Sequence, residues 1–209
     1  TTGHTHFIIC TMTVLVWLFM SGGAYSQTSD ETAADFPPPP MRPDELLREG
    51  IGRLTVFLST NKAQTPEQIH AFLARDIAPY FDFSYMARWA AGPLHRRMSE
   101  EQNDALTNHL RGMFLSALAR NLGSFAQPLP VIDVSAPARG RSDHEIAVFA
   151  TIKSATGFTI RLEFRFYWSP DGWKIFDVAA NGASAVGYYR RYYTVQLRRH
   201  GPDALLSDE

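Results

Sequence analysis

Asp177 stands between Phe176 and Val178 in a strand-like run, shortly before the start of a helix. Apolar surroundings raise a carboxyl pKa, so one reading is a general acid or base working in a cone-shaped apolar pocket. The other is structural: a carboxylate that accepts backbone N–H bonds from the following loop or last helix, or pairs with an arginine such as Arg190. No second titrating partner is visible, and the structural role is preferred. Ser184, in Gly182-Ala183-Ser184-Ala185-Val186, lacks the second glycine of a nucleophile elbow and reads as a helix cap. His70, His95, His109, His144 and His200 are scattered, with no pair at metal-ligand spacing. Arg190, Arg191, Arg198 and Arg199 form either a solvated helix face or a contact for an anionic headgroup or acidic partner. No cofactor or metal motif is present.

These residues must be positioned by the elements around them. Phe158, Ile160, Leu162, Phe164, Phe166 and Trp168 alternate with Thr159, Arg161, Glu163, Arg165 and Tyr167, a period of two with one apolar face and one charged face. Ser169-Pro170-Asp171-Gly172 turns the chain, and residues 173–180 return as a partner strand until Asn181-Gly182 breaks it. Ser184 then caps a helix that places Val186, Tyr189, Tyr193 and Leu197 on one face.

Upstream, residues 44–59 carry Leu47, Ile51, Leu54 and Leu58 at helical spacing. Thr65-Pro66-Glu67-Gln68 opens a second helix that ends near Pro79, and residues 82–91 read as a short third, stopped by Gly92-Pro93. Ser99-Glu100-Glu101-Gln102 caps the longest helix, with Gly123 expected as its C-cap. Strands are expected at 129–136, 145–154, 158–168 and 173–180, joined by short turns. The predicted class is α+β: a four-stranded antiparallel sheet covered on one face by several short helices. Such a sheet either packs as an ordinary core or opens into an apolar cavity.

The chain has 209 residues, 45% hydrophobic and 20% charged, with a formal net charge of −1. That suits one globular domain and gives no basic excess for nucleic acid. Phe7 to Met20 is an uncharged apolar run, followed by Ala24-Tyr25-Ser26, with small residues suited to cleavage before Gln27. The pattern predicts a secretory signal peptide over 1–26, although no lysine or arginine precedes the run. A Pro-rich leader (27–43) and a domain at 44–209 follow. Cleavage removes Cys10, leaving stability to packing.

Several pieces occur together in order: Phe81-Asp82-Phe83-Ser84-Tyr85-Met86-Ala87-Arg88 with Gly92; Ser99-Glu100-Glu101-Gln102 with Leu106, Leu110 and Phe114; Gly172-Trp173-Lys174-Ile175-Phe176-Asp177-Val178; Asn181-Gly182-Ala183-Ser184-Ala185-Val186 with Tyr189-Arg190; and Gly201-Pro202-Asp203-Ala204-Leu205. In these, residues 63–206 resemble the MlaC/toluene-tolerance family of periplasmic phospholipid-binding proteins. Asn181 and Ala183 depart from an EGVS-like family pattern, and Leu106 and Leu110 stand where phenylalanine is common.

The resemblance implies a non-enzymatic periplasmic carrier whose interior pocket takes acyl chains. Its implied partners are a phospholipid or related lipid, an inner-membrane ABC transporter with an MCE-domain component, and an outer-membrane lipoprotein complex. Some relatives are associated with hopanoid lipids. On this reading the pocket is lined by Phe158, Ile160, Leu162, Phe164 and Phe166 from the sheet, and by Leu110, Phe114, Val186, Tyr189 and Tyr193 from helices. The alternatives are a small isomerase-like enzyme using Asp177, and an assembly protein whose aromatic face is ordinary core.

Overall fold

A computed structural model describes residues 41–60, 64–122, 130–153, 157 and 159–205. The expected signal peptide, most of the leader, Gly123 and Phe158 lie outside the described residues. Leu47, Ile51 and Leu54 form the buried stripe of α1 (Pro43–Thr60). Thr65 closes a capping box on α2 (Pro66–Phe72): its hydroxyl accepts the Gln68 N–H, and the Gln68 side chain accepts the Thr65 N–H. The chain does not continue as one helix to Pro79. It widens into a π-turn (Leu73–Ile77) and then tightens into a 3-10 turn (Ala78–Tyr80) around the proline, which offers no N–H to an α-helical ladder.

Asp82 caps α3 (Phe83–Ala91) by accepting the Tyr85 N–H at 2.8 Å. The helix stops at Gly92, whose φ of 58° favours glycine, and a 3-10 turn (Gly92–Arg97) follows. Ser99 and Gln102 form the second capping box, opening α4 (Glu100–Leu122). This helix buries Leu106, Leu110, Phe114 and Leu118.

The sheet comprises β1 (Val131–Val134), β2 (Ala138–Arg139), β3 (Glu145–Lys153), β4 (Thr159–Ser169), β5 (Gly172–Ala180) and β6 (Ala183–Ser184). The order is β1-β3-β4-β5-β6, with β2 also paired to β3, and every pairing is antiparallel. The four expected strands are joined by two two-residue strands, too short for a period of two to show. Ser184 then caps α5 (Ala185–His200), and a 3-10 turn (Pro202–Leu205) follows.

One irregularity sets the layers. Arg165 pairs with Asp177, but the next residue, Phe166, pairs with Ile175, so Phe176 is the extra residue of a β-bulge. Ile175 and Val178 therefore share the apolar face with Leu162, Phe164 and Phe166, while Phe176 and Asp177 turn to the other side. Helix α1 covers the apolar face through Leu47 and Ile51. On the reverse side, Tyr85 of α3 stacks on Tyr167 of β4 and meets the edge of Phe176, and α5 packs against β5. The sheet is thus covered on both faces near β5, and the interior forms two adjoining cores.

Candidate functional site

On the reverse face Asp177 is 1% exposed. Its Oδ1 accepts the Val186 N–H at 3.0 Å, and its Oδ2 accepts the Ser184 hydroxyl at 2.6 Å and Nη1 of Arg165 at 2.8 Å. Ser184 in turn accepts the Gly187 N–H at 3.0 Å. The carboxylate thereby ties β5 to the first turn of α5, where a helix favours negative charge. Its arginine is Arg165, not Arg190. Burial works against the Arg165 charge, but Glu163 (2.9 Å from its Nε) and Asp177 outweigh it and hold the guanidinium above its ordinary pKa. Nearby, the Tyr167 hydroxyl donates to Asp82, joining β4 to the cap of α3. Every anchor here is directional.

The apolar side is built differently. Between α1, the end of α4 and the sheet runs a narrow seam. Leu47, Ile51 and Leu54 form one wall, Phe114 and Leu118 another, and Phe164 and Ile175 the floor, with Ile77, Tyr80 and Phe81 at one end. Among the described residues, Tyr80 supplies the one polar side-chain atom of the lining. Burial, and then the hydrogen bond to Glu49, push its phenol up to about 12, so it stays neutral. Gly50 lets this ring lie close to α1: a Cβ there would stand 3.4 Å from Tyr80 Cε2.

The seam encloses about 40 Å³. That is close to one water's share of liquid volume, roughly 30 Å³, whereas ligand pockets run to roughly 300–1,000 Å³. It is filled by its own side chains, with α1 lying against the sheet. What holds α1 there is mostly non-directional packing. Beyond it, Arg48 donates to the Val134 carbonyl at 2.9 Å, and Phe57 stacks on Phe72 with centroids 3.9 Å apart.

The ten residues expected around a pocket divide between the two cores. Phe114 and Phe164 line the seam. Leu162 and Phe166 are buried on the same sheet face, and Ile160 packs against them half-buried. Leu110, Val186, Tyr189 and Tyr193 belong instead to the helical core, where the Tyr193 hydroxyl approaches Met113 Sδ at 3.7 Å. Phe158 lies outside the described residues. Sequence reasoning missed the α1 wall and Ile175. The stripe Leu47-Ile51-Leu54 was visible as a buried helix face, but its partner was not. Trp168, expected on the apolar face, is 52% exposed and packs edge-on against Trp173.

Among the described residues no group of three or more histidine, cysteine, aspartate or glutamate side chains could hold a metal ion, and no helix is long and apolar enough to cross a membrane. The architecture is thus an antiparallel sheet tied to helices on one side, with a narrow apolar seam between α1, α4 and the sheet on the other. The chain belongs to the MlaC protein family, which it matches over residues 51–208. A solved phospholipid-binding protein from Ralstonia solanacearum, determined in complex with a phospholipid, shares the fold: TM-score 0.65 at 16% identity, covering 77% of this chain and 90% of that one. No curated protein matches the sequence.

Proposed function

We propose that this protein is a periplasmic carrier that holds the acyl chains of a phospholipid in the α1 seam and moves the lipid between outer-membrane and inner-membrane transport complexes. One observation carries the reading: α1 lies over the apolar face of the sheet across a seam that, among the described residues, has one polar side-chain atom in its lining. Family membership and the lipid held by the Ralstonia protein support it. So does the energetics. Each CH₂ leaving a bilayer forfeits about 0.8 kcal/mol, so two chains of roughly 16 carbons need on the order of 25 kcal/mol of apolar shelter. Displacing α1 opens Phe164, Ile175, Leu162 and Phe166 to the chains, with Phe114 and Leu118 as the side wall. The headgroup needs no dedicated ligand motif.

The test is native mass spectrometry of the protein purified without detergent, followed by lipid extraction. The expected mass is that of a two-chain phospholipid. It should be absent from Phe164→Asp and from Ile51→Asp, each checked for folding by far-UV circular dichroism. A polycyclic lipid in its place moves the cargo to the hopanoid class. Wild-type protein carrying no lipid, and taking none from vesicles, sinks the proposal.

A further inference from the structure

The positive charge of this chain is segregated. Residues 83–99 and 178–202 contain Arg88, Arg96, Arg97, Arg190, Arg191, Arg198 and Arg199, seven of its 20 lysines and arginines, and none of its 21 aspartates and glutamates. The two segments meet in space, because α3 packs on α5. At their junction lies a cleft of about 400 Å³ into which Arg88, Arg96, Arg190 and His95 face, with Tyr85 and Trp89 as aromatic walls. Among the described residues no acidic side chain lines it, and the carboxylates Asp82 and Asp177 are engaged with Tyr167 and Arg165.

Gly92 contributes to the arrangement. A Cβ at this position would come within 3.1 Å of Nη2 of Arg190, so the bare backbone lets that guanidinium lie across the end of α3. A solvated arginine face is the usual fate of such a cluster, but it needs neither a concavity nor an exposed tryptophan. Trp89 is 43% exposed here, edge-on to Tyr85 with centroids 6.4 Å apart. Burial, and then the Arg88 charge, hold His95 below its ordinary pKa, so the site already disfavours one more positive charge. Three exposed guanidinium groups that share one concavity gain from an anion held between them.

We propose that this cleft is a second binding site, one for a phosphate-class oxyanion: a phosphate mono- or diester, free in solution or displayed as a lipid headgroup. Planar guanidinium forks match phosphate oxygens two at a time, and several converging forks grip a tetrahedral anion from different sides. The volume leaves room for a substituent on the phosphate. This cleft shares no lining residue with the α1 seam, so the inference stands apart from the carrier reading.

The test titrates inorganic phosphate into the full chain at low salt, following the His95 ring and arginine side-chain NMR signals. Saturable shifts confined to the cleft are expected. Affinity should weaken at least tenfold in Arg88→Gln/Arg190→Gln and by less in Arg96→Gln, while an exposed arginine elsewhere, Arg75→Gln, changes nothing. Sedimentation with phosphatidylglycerol vesicles then separates the sources. Loss of pelleting in the double variant identifies a headgroup; phosphate binding without vesicle binding identifies a soluble ester. Wild-type protein that ignores phosphate overturns the proposal, as does one that prefers oligoglutamate, which gives the cleft to an acidic protein partner. Weighing retained lipid in the same samples keeps the two readings separable, since the double variant should keep its cargo.

Discussion

The two faces of the β4–β5 hairpin are made from the same two strands yet are held in opposite ways. The reverse face is bolted: Arg165, Asp177, Ser184 and the Val186 N–H form a chain of short hydrogen bonds in which each partner fixes the next. The other face is padded: Leu162, Phe164, Phe166, Ile175 and Val178 meet Leu47 and Ile51 through contacts that prefer no direction. Hydrogen-bonded ion pairs tolerate little displacement, whereas apolar surface is satisfied by any apolar partner. A cover helix on the padded side can therefore exchange places with an acyl chain at the cost of few polar contacts, those of Arg48 with the Val134 carbonyl and of Glu49 with Tyr80. The difference shows how one hairpin can be both scaffold and site.

The sharpest way to break this comparison is Asp177→Ala. It leaves the buried Arg165 guanidinium with Glu163 as its remaining partner and frees both the cap hydroxyl and the Val186 N–H, and removing one partner of a buried ion pair costs about 3–5 kcal/mol. For a chain of this size that lowers Tm by roughly 6–20 °C, read by circular dichroism. A loss under about 1 kcal/mol erases the distinction between the faces.

Hydrogen exchange sharpens it next. Amides of α1 should exchange roughly a hundredfold faster than those of α3 and α5, because α1 opens locally and the bolted side opens only with the whole domain. Added phospholipid should slow α1 alone. Equal protection of the three helices would falsify the idea of a movable cover.

Acid provides a finer probe. Burial pushes the Asp44 carboxyl up, but its hydrogen bond from Arg48 and the charges of Arg42 and Arg48 outweigh this and hold it below the ordinary carboxylate range. A depressed pKa contributes stability that is complete above the unfolded value and is lost as pH falls through the folded one. Exchange in α1 should therefore quicken several-fold below about pH 4, and Asp44→Asn should remove that step. The smallest effect is expected from Gly52→Ala. A Cβ there meets nothing within 4 Å, and replacing a mid-helix glycine stabilises by about 0.5–1 kcal/mol. Tm should rise by roughly 1–4 °C, with slower lipid uptake if α1 must unfold to move.

Much of this arrangement is legible in the residue string. Both capping boxes, the Ser184 cap and the buried faces of α4 and α5 follow from short-range rules, because caps and helical stripes are local. The class is legible too, since helices precede a run of period two. The bulge is not. Ile175-Phe176-Asp177-Val178 reads as a regular strand, and only pairing with β4 shows the step at Phe176. For that reason Arg165, assigned by alternation to a charged outer face, proves to be 7% exposed. The seam was half legible: Phe114 and Phe164 are where an apolar lining was expected, but nothing local says which helix lies over a strand face.

Strand β5 carries one residue more than its partner β4, and that residue is Phe176. The bulge seats two residues in a row, Phe176 and Asp177, on the reverse side of the strand. Deleting Phe176 would restore plain alternation: Ile175 would still pair with Phe166 and Asp177 with Arg165, but the ring that meets Tyr85 and Tyr167 would be gone. One added residue thus gives a single strand two docks side by side, an aromatic one for α3 and a charged one for α5.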